Sequence, residues 1–278
     1  MITWQLWRAL RNPPLYHPLF ARISQTAPER IPWQLGCLAV LMGPVVIFLA
    51  FLWIGTMYSM LWAVRIGSSL ISASDDHTYD LISLFAPGRL GATLMICLGC
   101  IYQDRGYLQV QSAGPWVIRI LFNLPFFLLL ASAGLFQPFT TTRNDVLFGF
   151  VQIAYPATLV IAIYVDHAQS IVIGCLLGML APTFVSNRLD ASLLSVGGFV
   201  LIQLSTYAAA LFTGLYLLPR FYSLLSISGW LADTSTLLVA LLVFYLTRET
   251  IIQHLWRLLA YRVNADRVDI EQITGINV

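Results

Sequence analysis

Lysine is absent from this sequence of 278 residues, in which all 15 basic side chains are arginine. The Schiff bases of retinal and of pyridoxal need a lysine. The nucleotide-binding motif G-x-x-x-x-G-K-[ST] also needs one, because its lysine reaches the phosphates. The absence therefore excludes a retinal-driven pump and a chain that binds ATP through such a loop of its own.

Charge of either sign is also scarce. Only 10% of the residues are charged, against about 25% in an ordinary soluble domain. Hydrophobic residues make up 58% of the chain, and the mean hydropathy is +0.78. This composition excludes an ordinary soluble domain and predicts a chain that lives in a lipid bilayer.

Motifs that carry catalysis are missing as well. The sequence has no Gly-x-Ser-x-Gly turn, no His/Glu helix motif and no paired catalytic carboxylates. Its four cysteines lie in apolar stretches, and Cys97-x-x-Cys100 lacks the two further ligands that a zinc site needs. We interpret the cysteines as packing residues, and we predict no enzymatic activity, no cofactor, no metal and no nucleic-acid partner.

The sequence contains several apolar stretches that are long enough to cross a membrane. A helix needs about 20 apolar residues to span the hydrocarbon core. Stretches of that order occupy 115–136, 146–165, 168–185, 191–218 and 235–256, preceded by the longer stretch 33–72. The stretch 33–72 fits one long tilted helix or a tight hairpin that turns near Gly55-Thr56. We predict an all-α, polytopic transmembrane helical bundle of about six spans.

The N-terminus combines aromatic and basic residues at helical spacing. Trp4, Trp7 and Leu10 alternate with Arg8 and Arg11, which predicts an amphipathic helix in the headgroup zone; a plain basic cytoplasmic tail is the alternative. The predicted organisation is a cytoplasmic or interfacial segment 1–32, a transmembrane domain 33–260 and a cytoplasmic tail 261–278. Arginines gather at both ends, which favours two cytoplasmic termini; they are Arg8, Arg11, Arg22 and Arg30 at one end and Arg248, Arg257, Arg262 and Arg267 at the other.

The segment 73–114 is neither a span nor a simple loop. It opens with the acidic run Ser74-Asp75-Asp76-His77 and continues with Thr78, Leu81, Ile82, Leu84 and Pro87. This pattern resembles the Thr-x-x-Leu-Leu-x-Leu-x-Pro stretch, preceded by charged residues, of permease subunits of type-2 ABC exporters. The family's charged run usually alternates glutamate with arginine, whereas this run contains no arginine.

The resemblance implies a function and partners. It implies a permease subunit of an ABC-type exporter in a bacterial or archaeal cell membrane, paired with a second permease subunit and driven by a separate ATPase. The segment 73–114 would then be cytoplasmic, which requires 33–72 to be a hairpin and one later stretch, 168–185 in our interpretation, to be re-entrant. The alternative is a structural subunit of a larger membrane complex that keeps a permease-like fold without transporting.

Within that segment we predict a docking surface for the soluble partner. Its apolar anchors would be Tyr79, Leu81, Leu84 and Phe85, surrounded by Asp75, Asp76 and Asp80 and bounded by Thr78 and Pro87. The alternative is an interfacial helix that rests its apolar face on lipid.

Ionisable residues inside apolar stretches are candidates for function because they are costly to bury in a membrane. Arg65 and Arg119 are the two that we single out, Arg65 as a partner for Asp75 or Asp76 and Arg119 as a residue that reaches the interface. Asp166-His167 fits a helical turn better than a proton-relay pair. A third function, proton-coupled transport, would need facing buried carboxylates, which the sequence almost lacks.

Overall fold

The computed structural model describes residues 1–11, 43–76, 78–85, 88–103, 145–226, 230–266 and 270. In these ranges every regular element is a helix. We label the helices α1 (Ile2–Arg11), α2 (Gly43–Asp75), α3 (Thr78–Phe85), α4 (Gly88–Tyr102), α5 (Asp145–Leu180), α6 (Arg188–Phe212), α7 (Leu218–Leu224) and α8 (Trp230–Arg262). A short 3₁₀ turn follows α5 at Ala181–Thr183, and a π-helical turn, Thr213–Leu217, joins α6 to α7.

Among the described residues, three helical stretches are long and apolar enough to cross a membrane. They are Ile161–Thr183, Arg188–Leu224 and Ser235–Arg262. The predicted stretches 191–218 and 235–256 are thus confirmed as long apolar helices. The predicted stretch 115–136, and with it Arg119, lies outside the described residues. The all-helical prediction holds throughout the described ranges.

Two interruptions that the sequence allows are absent from the described helices, and for 43–72 the alternative of one long helix is the one that forms. The helix α2 runs without a break through Gly55-Thr56, so a hairpin does not turn there. The glycine serves close packing instead, because a Cβ on Gly55 would come within 2.4 Å of Nδ1 of His167. The helix α5 likewise continues through Asp166-His167, so neither a turn at these residues nor a separate re-entrant segment 168–185 exists.

Packing divides the chain into two units, each of which we describe by itself. The first unit comprises 1–112, 167–201 and 249–278. Its centre is α4, in which every residue from Leu90 to Ile101 is buried, and α4 packs on α2 and α3.

Two glycines one turn apart allow α5 to approach α2 closely within the first unit. A Cβ on Gly174 would lie 2.5 Å from the carbonyl oxygen of Ser59, and one on Gly178 would lie 2.8 Å from that of Ala63. No side chain fits at either position. The Gly-x-x-x-Gly spacing therefore serves a contact inside the chain.

The N-terminal helix α1 is docked on the first unit rather than extended from it. Thr3, Leu6 and Leu10 are buried, while Arg8 and Arg11 are exposed. At its start, the backbone N–H of Thr3 donates to Oε1 of Glu249 at 3.4 Å, and the Thr3 hydroxyl donates to the other carboxylate oxygen.

The other end of α1 is held by Tyr102. The Tyr102 hydroxyl donates to the carbonyl oxygen of Arg11 at 2.9 Å and also approaches that of Leu10 at 3.4 Å. A carboxylate at the first N–H groups and a hydroxyl at the last carbonyl oxygens satisfy backbone groups that a helix leaves without internal partners. Both ends of α1 are therefore capped by side chains that are distant in sequence.

The second unit comprises 113–166 and 202–248. Its described helical segments belong to α5, α6, α7 and α8. Gly214 and Ala240 meet closely, because a Cβ on Gly214 would lie 3.4 Å from that of Ala240. This unit holds the most deeply buried charge among the described residues.

Candidate functional site

The short helix α3 stands where the sequence predicts a docking surface. It follows α2 after a two-residue break and precedes α4, and it contacts both of them. At its first residue, the Thr78 hydroxyl donates to the carbonyl oxygen of Ala73 on α2 at 3.1 Å. Gly88 has a φ of 66°, a left-handed conformation that glycine adopts without strain, where the chain turns into α4.

A second set of hydrogen bonds ties α3 to α4. The Tyr79 hydroxyl lies 3.0 Å from the Thr93 hydroxyl and 3.2 Å from the carbonyl oxygen of Arg89. The Thr93 hydroxyl in turn donates to the same carbonyl oxygen at 2.9 Å. These bonds connect α3 to α4, in which every residue from Leu90 to Ile101 is buried.

The acidic residues around α3 face outward. Asp75, Asp76 and Asp80 are exposed, as is Thr78, and Tyr79 is half-buried. Leu81, Leu84 and Phe85 belong to the helix, but their side chains, and Pro87 as a whole, lie outside the described residues. The structure thus brings the predicted acids together on an accessible surface.

Arg65, which we expect to pair with Asp75 or Asp76, is far from Asp75 along α2. Asp75 instead lies 3.9 Å from Arg188, and both side chains are more than half exposed. Because α2 is continuous, Arg65 and Asp75 are separated by ten residues of helix, or about 15 Å along its axis. Arg65 is half-buried on α2, and its carbonyl oxygen accepts a hydrogen bond from Ser68.

A buried ion pair in the second unit is the charged site that sequence reasoning missed. Nη1 of Arg248 lies 2.7 Å from Oδ1 of Asp166, and the Arg248 side chain is 0% exposed. The sequence groups Arg248 with the arginines of the C-terminal end, but this grouping is wrong because Arg248 lies within a long apolar helix. It lies close to the middle of the 28-residue stretch Ser235–Arg262, where an isolated charge is most costly in a membrane.

The other two nitrogens of the Arg248 guanidinium also have oxygen partners. Nη2 donates to the side-chain carbonyl of Gln203, and Nε lies 3.4 Å from the Thr206 hydroxyl. Nη1 additionally reaches the backbone carbonyl of Asp166 at 3.3 Å. Cζ of Arg248 lies over the Phe244 ring, 4.4 Å from its centroid. Every nitrogen of the guanidinium therefore has an oxygen partner.

Tyr207 completes this cluster and forms its outer surface. Its hydroxyl donates to Oδ1 of Asp166 at 2.9 Å, so this oxygen accepts from both Tyr207 and Arg248. The Tyr207 ring stacks on Phe244 with 5.4 Å between centroids. Tyr207 is 38% exposed, whereas Gln203 and Thr206 are buried. We call Asp166, Arg248, Gln203, Thr206 and Tyr207 the ionic cluster.

Asp166 and His167 have separate surroundings. The His167 ring meets the Trp7 ring edge-on, with 6.1 Å between centroids, and packs on Gly55. Asp166 pairs with Arg248 instead. Neighbouring residues on a helix point about 100° apart, which accounts for the divergence. The sequence does contain a sign of this pair: Asp166 is a carboxylate in one apolar stretch and Arg248 is an arginine in another. In the structure each neutralises the other's charge.

The cysteines behave as packing residues in the described ranges. Cys97, Cys100 and Cys175 are buried and free, and the Cys100 thiol lies 3.4 Å from the Ser69 hydroxyl. No group of three or more potential metal ligands forms among the residues that the structure describes.

No protein-family model, no curated protein and no solved structure matches this chain.

Proposed function

We propose that this chain is the transmembrane permease subunit of an ABC-type export system in a bacterial or archaeal cell membrane, and that it works with a separate ATPase subunit. The observation that carries the proposal is the placement of α3, which is hydrogen-bonded through Thr78 to α2 and through Tyr79 to α4. A short helix joined in this way to two longer helices can pass a partner's movement on to them.

Because α2 is one continuous helix and not a hairpin, the proposal puts the beginning of α2 and the helix α3 on opposite faces of the membrane, with α3 in the cytoplasm. The surface around α3 also suits a soluble partner. Three exposed carboxylates, those of Asp75, Asp76 and Asp80, lie within six residues of one another. A cluster of one sign favours a partner surface of the opposite sign and accelerates association. We propose a basic rim on the ATPase as the complementary surface, with the apolar residues of α3 as the anchors.

ATP would be bound and hydrolysed on the partner, since this chain has no lysine for a nucleotide-binding loop. Hydrolysis there would displace α3, and α2 and α4 would follow because of their hydrogen bonds to it. The substrate path would lie between this chain and a second permease subunit, as the resemblance to type-2 ABC exporters implies.

A second candidate is a structural subunit of a larger membrane complex. It is favoured by the ionic cluster, in which each guanidinium nitrogen of Arg248 already has a protein partner and the arginine is fully buried. Such a cluster holds helices together without offering its charge to a cargo.

The docking proposal is tested by reversing charge next to α3. We would tag the chain in its native host, purify it in mild detergent, and compare the amount of co-purifying ATPase for the parent chain and for Asp76→Arg/Asp80→Arg. The matched control is Asp266→Arg, which reverses an exposed carboxylate elsewhere in the first unit. Because each exposed pair contributes up to about 1 kcal/mol, we expect roughly a tenfold weaker association for the double variant alone. Equal retention by the double variant and the control would contradict docking on α3.

A further inference from the structure

The long apolar stretch Arg188–Leu224 contains a point at which the helix can bend, Thr213–Pro219, which we call the joint. Its helix changes to a π-helical turn at Thr213–Leu217, where the backbone N–H of Leu218 bonds to the carbonyl oxygen of Thr213, five residues back. Pro219 follows directly and explains the turn, because proline has no N–H and its ring collides with the carbonyl four residues before it. Single π-turns of this kind are frequent at functional sites and are points where helices bend.

The ionic cluster holds the helix on the N-terminal side of this joint. Gln203, Thr206 and Tyr207 are three α6 side chains that bond either to Arg248 of α8 or to Asp166 of α5. Side-chain exposure is similar on the two sides of the joint: Leu204 and Leu211 of α6 are 64% and 60% exposed, and Phe221 and Leu224 of α7 are 54% and 82% exposed. The ionic cluster is therefore the feature that distinguishes the part of the helix before the joint.

We propose that the Asp166–Arg248 pair is a latch that holds α6 against α5 and α8 within the second unit, and that opening the latch lets α6 tilt at the joint Thr213–Pro219. Well-packed hydrophobic side chains of similar volume would hold the three helices at least as firmly as the ion pair does. An ion pair differs in that it has two discrete arrangements, paired and separated, and so can act as a two-state element. Tyr207, the exposed member of the cluster, is the point at which the pair opens.

The latch is independent of the proposed partner, and it is tested by two distances in the isolated full-length chain. The chain would be reconstituted in lipid nanodiscs with spin labels at Leu204 and Leu242, which report the distance between α6 and α8 before the joint. A second pair at Phe221 and Leu238 reports on α7 against α8 beyond it. All four side chains are exposed, so labels fit without repacking.

The parent chain should give one distance for each pair. A minor open state is ordinarily populated at about 1%. In Asp166→Asn we expect the fraction of molecules with the longer Leu204/Leu242 distance to rise at least tenfold. The Phe221/Leu238 distance should stay unchanged because the joint absorbs the tilt. Asp166→Glu, which keeps the charge, should restore the single distance. Asp190→Asn, the same change at an exposed carboxylate, should have no effect.

Tyr207→Phe provides a second variant that keeps both charges. It removes only the hydroxyl that bonds to Asp166, and we expect a smaller open population than in Asp166→Asn. The proposal is overturned if both label pairs keep their parent distances in the Asp166 and Tyr207 variants, which would make the cluster a fixed support. It is also overturned if both pairs change together, because the helix would then move as one rigid body without a joint.

Discussion

Arg248 and Asp166 are separated by 82 residues in sequence, yet their side chains lie 2.7 Å apart in the interior of a chain in which only 10% of residues are charged. The pair neutralises one charge on each of two apolar helices. Because Gln203, Thr206 and Tyr207 complete the hydrogen bonds, neither charge is left uncompensated. This relationship determines how substitutions in the second unit should behave.

Removal of one partner of the pair should be far more costly than removal of an exposed arginine. We expect Arg248→Ala to lower the free energy of unfolding by about 3–5 kcal/mol, because it leaves the buried Asp166 carboxylate without its counter-charge. The measurement is thermal unfolding in mild detergent. Arg220→Ala is the control, since Arg220 is exposed and rests on the Tyr216 ring at 4.1 Å; its loss should be about 1 kcal/mol or less. Equal losses in the two variants would contradict the assignment of a buried pair.

The close approach of α5 to α2 predicts a contrast among glycines. Gly174→Ala and Gly178→Ala should each destabilise the chain by about 1–3 kcal/mol, because the new methyl groups would press on backbone carbonyl oxygens. Gly197→Ala is the matched control, since a Cβ there has nothing within 4 Å. It should leave stability unchanged or raise it by up to about 1 kcal/mol through helix propensity. A similar melting temperature for all three variants would mean that α5 and α2 are not in contact.

The caps on α1 predict that its attachment can be loosened from either end. Glu249→Gln should weaken the contact with Thr3, because it removes the negative charge at the start of the helix. Tyr102→Phe should weaken the other end by removing the donor to the Arg11 carbonyl. Each change should cost about 0.5–1.5 kcal/mol and accelerate hydrogen exchange in residues 1–11 by roughly 2- to 12-fold. Arg8→Ala, on the exposed face of α1, is the control and should leave exchange in α1 as it is.

The hydrogen bond between Tyr79 and Thr93 predicts how firmly α3 is held. Tyr79→Phe should accelerate hydrogen exchange in α3 by roughly 2- to 12-fold, which corresponds to the loss of one hydrogen bond. Exchange in the buried α4 should change less. Tyr261→Phe, at a side chain that is 77% exposed, serves as the control. Unchanged exchange in α3 would mean that Tyr79 does not tie it to α4.

Much of the fold follows from local composition, which is why the sequence predicts it. The apolar stretches 191–218 and 235–256 are long helices, as expected, and the N-terminal residues form an amphipathic helix with exposed Arg8 and Arg11. The acids before and within α3 are exposed as a docking surface requires. Each of these features depends on residues that are close together in the chain.

Features that depend on distant partners could not be predicted in the same way. Asp166-His167 indicated a break because an aspartate is costly in an apolar helix; in the structure α5 continues through it, and the Asp166 carboxylate is paired with Arg248. Gly55 indicated a turn, whereas the structure uses its missing side chain to admit His167. The sequence groups Arg248 with Arg257, Arg262 and Arg267 as arginines of the C-terminal end, whereas the structure pairs it with the distant Asp166.

We propose that this chain is a permease subunit and that a separate ATPase supplies its energy. The most direct measurement is the composition and stoichiometry of the complex that the untruncated chain forms in its native membrane, determined by mass spectrometry after purification in mild detergent. We expect an ATPase in stoichiometric amount in the parent complex and its depletion in Asp76→Arg/Asp80→Arg. A stable large complex that contains this chain but no ATPase would contradict a permease role and favour a structural one.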